Sequence, residues 1–226
     1  MDIEEKFFER KRFDTDAMLC FGFQKTKNGY IYESDFMSGD FSARLTVSDN
    51  GKITGKVIDR MNNEEYVQLR MESFQGPYVN SVREAYVQLL KQIAEKCCKD
   101  VLFSSDQANR IAKQIEVKYG VMPDYPWAKS QYDSYGVFRH VNNSKWFALI
   151  MNVKRNVIFK NGDTRTVDIV NLKIDPSRIV DLTQISGIYP AYHMNRKYWI
   201  SVTLDDTLSD EKVLELINES FHESIN

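Results

Sequence analysis

The chain has 226 residues, of which 42% are hydrophobic and 27% charged, with a formal net charge of −2. That length suits one large domain or two of about 100 residues, and a charge so near zero excludes any global pull toward nucleic acid or an anionic membrane, so a charged partner would have to meet a local patch. Cysteine is limited to Cys20 and the adjacent pair Cys97-Cys98, an odd count poorly placed for bridging, which predicts a reduced, cytoplasmic protein. The opening MDIEEKFFERKRF is charged and has no signal-peptide core. No stretch approaches the roughly 18 apolar residues of a membrane span.

In the first half, Ile3, Phe7 and Phe8 share one helical face, with Glu4, Glu5, Glu9 and Arg10 around the rest. A short amphipathic helix over residues 2–12 is expected, its basic end complementing the helix dipole. From Met18 the period changes to two. Asn28-Gly29 and Asn50-Gly51 lie between strand-like runs and read as type I′ hairpin turns. Ser38-Gly39-Asp40 and Asn62-Asn63 supply two further turns, and Phe41, Ala43, Leu45 and Val47 alternate with polar residues. Four turns joining five strands predict an antiparallel meander over about residues 18–71. Gly76-Pro77 breaks it. Ser81 with Glu84 forms a capping box before Val82, Tyr86, Leu89, Leu90, Ile93 and Cys97, which keep helical spacing to about Cys98. That helix is expected to lie across the meander.

Residues 99–103 read as a linker, giving a meander-plus-helix domain over 1–100 and a second domain over 101–226. Ser104 and Gln107 make another capping box, and Ala108, Ile111, Ala112, Ile115 and Tyr119 mark a helix ending at Gly120, a natural left-handed terminator. Strands are expected at 135–141, 146–153 and 166–174, with Asn142-Asn143-Ser144 and Asn161-Gly162-Asp163 between them. Asp175-Pro176 opens a short helix, proline being harmless at the first helical position. Residues 187–204, GIYPAYHMNRKYWISVTL, read as a hairpin: a strand over 188–193, a turn at Met194-Asn195-Arg196 with Asn195 at positive φ, and a return over 197–204. Ser209 caps a final helix whose apolar face is Val213, Leu216, Ile217 and Phe221, with Leu208 as a staple. The order predicts an α+β fold: in the second domain an α-β3-α-β2-α antiparallel sheet with helices on one face, a two-layer arrangement, preceded by the meander and its helix.

Val137-Phe138-Arg139-His140, Lys145-Trp146-Phe147-Ala148, Trp127, the Pro190, Tyr192, His193, Asn195 and Trp199 of the hairpin, and the Leu214-Ile217-Ser220-Phe221 helix occur together. Over about residues 104–226 this combination resembles the MmcQ/YjbR family. The resemblance implies a fold like that of secretion chaperones and the frataxin-like CyaY proteins, and it implies DNA binding, a label attached to that family through its fold. The first half carries none of these motifs.

Enzyme signatures are missing: there is no glycine-rich phosphate loop, no G-x-S-x-G elbow and no zinc-spaced Cys/His cluster. No catalytic residue, metal or cofactor is therefore expected. His140 and His193 each end a strand beside a turn, and with Tyr192 they are candidates to share a cleft; hydrogen bonding to the turns explains both histidines equally well. His222 reads as surface. Between Arg139 and Arg178 basic residues outnumber acids eight to three, whereas from Asp205 onward seven acids face Lys212 alone. One consequence is internal pairing of the two regions. The other is a phosphate-contacting sheet face, on which Arg139, Lys145, Lys154, Arg155, Arg196 and Lys197 hold phosphates while Trp146 or Tyr198 stacks on bases. No recognition helix is evident. The alternative is an adaptor that takes a protein partner or ligand on the sheet or its edge.

Overall fold

The computed structural model describes residues 3–71, 73–128 and 132–225, and the chain divides into two units, residues 1–101 and 102–226. In the first, α1 (Ile3–Phe7), β1 (Lys11–Phe13) and α2 (Thr15–Phe21) precede β2 (Gln24–Thr26), β3 (Gly29–Phe36), β4 (Phe41–Val47), β5 (Ile53–Asp59) and β6 (Glu64–Glu65). The last five form an antiparallel meander in chain order. Then α3 (Pro77–Cys97) runs directly into β7 (Cys98–Asp100), which pairs with β1.

Several local expectations for this unit change. The first helix stops at Phe7, because Lys11, Arg12 and Phe13 are taken up in pairing with residues 98–100; Asp2 lies outside the described residues. Met18 begins no strand. It sits on the buried face of α2, which Asp14 caps by accepting from the Ala17 N–H at 3.2 Å. The helix α3 starts at Pro77, one turn ahead of the expected capping box, and the Ser81 hydroxyl donates back to the Pro77 carbonyl. Both Asn-Gly hairpins form, though neither turn is type I′. The first closes on Thr26 opposite Gly29, so Lys27-Asn28 are the loop residues. Gly29 has φ 129°, and a Cβ there would collide with the Val47 carbonyl, so only glycine fits. In the second, the Gly51 N–H donates to Ser48 at 2.8 Å, and Gly51 alone of the pair is left-handed, a type I turn ending in a bulge glycine.

One polar cluster inside this unit has no counterpart in the sequence pattern. Glu4, on the face read as solvated, is fully buried. Its carboxylate accepts from both terminal nitrogens of Arg70 at 2.8 Å and from the Tyr86 hydroxyl. Arg70 donates onward to the Gly55 carbonyl at 2.6 Å. Burial pushes the Glu4 carboxyl up, but Arg70 and Tyr86 together hold it below its ordinary range, as a buried charge with a bidentate partner requires.

In the second unit α4 (Asp106–Tyr119) leads to β8 (Gly136–Arg139), β9 (Trp146–Lys154), α5 (Arg155–Phe159), β10 (Thr166–Lys173), α6 (Ile179–Leu182), β11 (Ile188–Pro190), β12 (Trp199–Thr203) and α7 (Asp210–Glu223). The α+β order is as the pattern implied, with α5 an unforeseen addition. Ser105, not Ser104, caps α4, freeing Gln107 to hold the Leu208 carbonyl and Asp210. Gly120 ends α4 at φ 68°. The strands form one antiparallel sheet in the order β11-β12-β10-β9-β8. Its central strands are apolar on both sides, as strands covered on both sides must be. Phe147, Ile150, Val170 and Leu172 face α4 and α7, while Leu149, Met151, Val167 and Ile169 face the other way. Helices are therefore not confined to one face, since Ile158 of α5 packs on the second.

The hairpin over 187–204 is shorter than its pattern. Pairing runs only from Ile188 opposite Val202 to Pro190 opposite Ile200, leaving residues 191–198 as a loop. Asn195 does not take positive φ; its carbonyl accepts from Tyr198 and Trp199, and its side chain from the Lys197 N–H. The left-handed residue is His193, at φ 58°.

Candidate functional site

The second face of this sheet carries a cavity of about 430 Å³. Its floor is Leu149 and Met151 of β9. Its walls are Trp127, Tyr132 and Tyr135 from the segment before β8, with Trp146 at the start of β9; Met194 and His193 come from the loop over 191–198. The rings meet edge to face: Trp127 lies 5.8 Å from Trp146 and 6.3 Å from Tyr135, at interplanar angles of 85° and 81°. Such pairs prefer edge-to-face contact because the ring face is electron-rich and the edge is not. Burial pushes the Tyr135 hydroxyl above its ordinary range, with Tyr192 and Tyr132 adding to the effect. Arg139 covers Trp146 at 5.1 Å from the ring centroid while its Nε donates to Asp124 at 2.7 Å.

The loop that closes the cavity is held by a ring of buried hydrogen bonds. The Tyr192 N–H donates to the Ser201 hydroxyl at 2.9 Å, Ser201 donates to Asn171 Oδ1 at 2.5 Å, and Asn171 Nδ2 donates to the Tyr192 carbonyl at 2.7 Å. Asn171 and Ser201 are direct cross-strand partners and both are fully buried. Every polar atom of the ring has a partner, so the network fixes one loop conformation without an uncompensated group. It grips the peptide unit on both sides of Tyr192 and thereby supports the left-handed His193 that follows. Such a conformation is costly for a residue with a side chain and persists only where its surroundings impose it.

Tyr192 faces a second cavity, of about 310 Å³, on the far side of the loop. Phe159 and Lys160 of the α5 end, Tyr189 and Pro190 of β11, and Arg196 line it. His193 lines the first cavity and Tyr192 the second, with their rings 4.0 Å apart.

The residues singled out from the sequence are dispersed. His140 is not in a cleft with Tyr192 and His193. It lies buried on the helix face, its ring tilted against those of Phe221 and Phe147, with Nε2 2.7 Å from the Ser224 hydroxyl, because β8 alternation points it opposite to Val137. Burial lowers its pKa, against a smaller opposing effect of the Phe221 backbone. The expected basic face is also largely spent internally. Arg139 pairs with Asp124, and Arg155 with Asp163 and Asp205 at 3.2 and 3.8 Å. Lys145 reaches the Ile225 carbonyl at 3.4 Å. Arg178 pairs with Glu219, and Lys173 donates to the Glu223 carbonyl, so the acidic last helix does meet the basic stretch. Lys154, Arg196, Lys197 and Tyr198 remain exposed, Lys197 lying over the Tyr198 ring. Of the stacking candidates, Trp146 lines the first cavity and Tyr198 does not.

Sequence reasoning missed Tyr132, Tyr135, Met151 and Met194 as lining and Asn171 and Ser201 as the loop's support. The last two had a signal: each is a small polar residue inside an otherwise apolar central strand, where it must find a partner. Among the described residues no group of three His, Cys, Asp or Glu is placed to hold a metal ion, and no helix is long and apolar enough to cross a membrane. Cys97 and Cys98 have thiols pushed up by burial, to about 11 and about 12, far from the reactive thiolate.

A family model described as YjbR matches residues 117–223, inside the second unit. The uncharacterized protein YyaQ of Bacillus subtilis is 41% identical over 112 residues, which make up 50% of this chain and 92% of YyaQ. The uncharacterized protein YbdF of Escherichia coli O157:H7 is 34% identical over 74 residues, 32% of this chain and 61% of YbdF. A crystal structure of a Pseudomonas syringae protein, 39% identical, covers 51% of this chain and 96% of its own, with a TM-score of 0.48. Because nearly all of YyaQ is matched at this identity, the chain belongs to the YjbR family.

Proposed function

We propose that the second unit is a non-catalytic binding module whose ligand occupies the ring-lined cavity on the second sheet face. The observation that carries this reading is the cavity itself: about 430 Å³, a size ordinary for small-molecule sites, with an apolar, aromatic wall and few polar groups. Half-buried rings at its mouth and a loop pre-set by the Asn171–Ser201 network reduce the ordering that a ligand would otherwise impose. His193 and the tyrosines are the only acid–base groups among the described lining residues, and neither carboxylate nor thiol lines the cavity with them. That composition favours binding over chemistry. The unbridged cysteines support a reducing, cytoplasmic setting.

Trp127 and Trp146 both report on the site. A library of small aromatic compounds screened by ligand-observed NMR should yield binders that quench tryptophan fluorescence, and Trp146→Ala should abolish them. Binders unaffected by Trp146→Ala, or none at all, would overturn the reading.

Nucleic-acid binding on the same side is the second reading. It rests on exposed Lys154, Arg196 and Lys197 beside exposed Tyr198, and is the weaker because Arg139 and Arg155 are committed to carboxylates. Anisotropy with short single- and double-stranded DNA should then show affinity falling steeply with salt and lost in a Lys154/Arg196/Lys197 triple alanine variant. Absence of binding at low salt removes it.

A further inference from the structure

Six arginines lie in the second unit, and five of them meet carboxylates: Arg110 with Asp206 and Asp210, Arg139 with Asp124, Arg155 with Asp163 and Asp205, Arg165 with Asp163, and Arg178 with Glu219. The sixth, Arg196, lines the second cavity, and among the described residues no carboxylate reaches it. Its Nε donates to the Ala191 carbonyl at 3.3 Å, which steadies the guanidinium on its own loop and leaves the two terminal nitrogens uncommitted. A planar fork of this kind matches a carboxylate with two parallel hydrogen bonds, and such charge-assisted pairs are stronger than neutral ones.

The rest of that cavity agrees in sign. Lys160, left-handed at the end of α5 with φ 52°, is its second cation. Tyr189 and Tyr192 contribute phenols, which can donate, and no acid is among the described lining residues. The described lining of the first cavity, by contrast, includes no lysine, arginine or acid. His193 lines the first cavity and Tyr192 the second, and these consecutive residues of the braced loop have their rings 4.0 Å apart. An aromatic body among the tryptophans with an acidic arm past this pair would use both compartments.

We infer that the ligand is a small organic carboxylate, its apolar body in the ring-lined cavity and its anion on Arg196 in the neighbouring one. This rests on the binding reading above and adds a charge to it. An extended ligand is required, because Arg196 and the tryptophans line different cavities. A bare inorganic anion would gain nothing from the first cavity, and a cation would face Arg196 and Lys160.

The test uses three probes that share one body and a three-carbon arm: 4-(2-naphthyl)butanoate, its neutral amide 4-(2-naphthyl)butanamide, and 4-(2-naphthyl)butylamine, titrated into the full chain at fixed moderate salt. The acid should bind about tenfold tighter than the amide, the expected order for a charge-assisted pair, and the amine weakest. Arg196→Gln, at an exposed position, should erase the preference for the acid over the amide; Trp146→Ala should weaken acid and amide alike. Equal binding of acid and amide, tighter binding of the amine, or a preference that survives Arg196→Gln would overturn the inference and leave the binding module standing. Failure of all three probes to bind would remove both.

Discussion

The two faces of the second sheet are built from the same strands yet put their polar residues to opposite uses. On the helix face polar groups are sealed in and serve the fold. Ser220 donates to the Phe147 carbonyl and accepts from the Lys173 N–H at 2.7 Å, tying α7 to two strands. Asp168 accepts from the Ser105 N–H at 2.7 Å and from Asn152 at 2.8 Å, anchoring the start of α4, while burial holds its carboxyl above the ordinary range. His140 fills a slot against Phe221. On the second face Asn171 and Ser201 brace a loop, and the rings above them are only half-buried and enclose a cavity. One face is finished as a core; the other is assembled to a shape and left open. A sheet buried on both sides can therefore separate stability from recognition by face.

That contrast breaks most visibly at two adjacent residues. Phe147, fully buried on the helix face, should cost about 3–5 kcal/mol when replaced by alanine. Trp146→Ala, next in the chain but half-buried on the cavity face, should cost about half of that or less. Urea unfolding of the two variants measures the difference, and equal costs would mean that the second face is core as well. The loop support comes next. Asn171→Ala removes a donor and an acceptor from a buried ring and should lower stability by about 1–3 kcal/mol. It should also speed amide exchange at Tyr192 and His193 by NMR; unchanged exchange would show that the loop is held by other means.

A smaller effect is expected at His193. Valine there should destabilise by about 1–2 kcal/mol, since a β-branched residue fits the left-handed region worst, whereas glycine should change stability by only a few tenths of a kcal/mol, losing strain and gaining unfolded-state entropy. Thermal melts separate the two, and a harmless valine would mean that the loop relaxes freely. The smallest effect is a pH dependence on the helix face. Burial lowers the His140 pKa, so the folded chain keeps it neutral at pH values where the unfolded chain, with an ordinary value of about 6.5, takes up a proton. Its contribution to stability is complete above about pH 6.5 and drains as pH falls toward the folded value. Melting temperatures from about pH 7.5 to 5.5 should fall more steeply for wild type than for His140→Gln; parallel curves would exclude His140 as the cause.

Much of the architecture was legible before any coordinates. The apolar spacing of Val82 to Cys97 and of Val213 to Ile217 marked α3 and α7, Gly120 and Ser209 marked helix ends, and a strand was expected over 146–153, where β9 runs. Errors cluster where a short segment obeys a distant partner: Lys11 to Phe13 left a helix to pair with residues 98–100, and Met18 became helical under an Asp14 cap. The candidate site was read less well. Trp146 and His193 line the first cavity and Tyr192 the second, but His140 was joined to them on adjacency to turns, and of the two consequences read from the charges internal pairing is the one that Arg155 and Arg178 follow.

The amino-acid order by itself determined the α+β class, the chain order of the elements and the kinship to the YjbR family, because periodicity, caps and turn chemistry act over a few residues and are written locally. Only the tertiary structure decided what each polar residue faces. Arg178 finds Glu219 41 positions later, Asn171 finds Ser201 30 positions later, and Arg196 meets no carboxylate among the described residues. These outcomes depend on strand register and on which face a residue presents, and a one-residue shift would reverse every one of them.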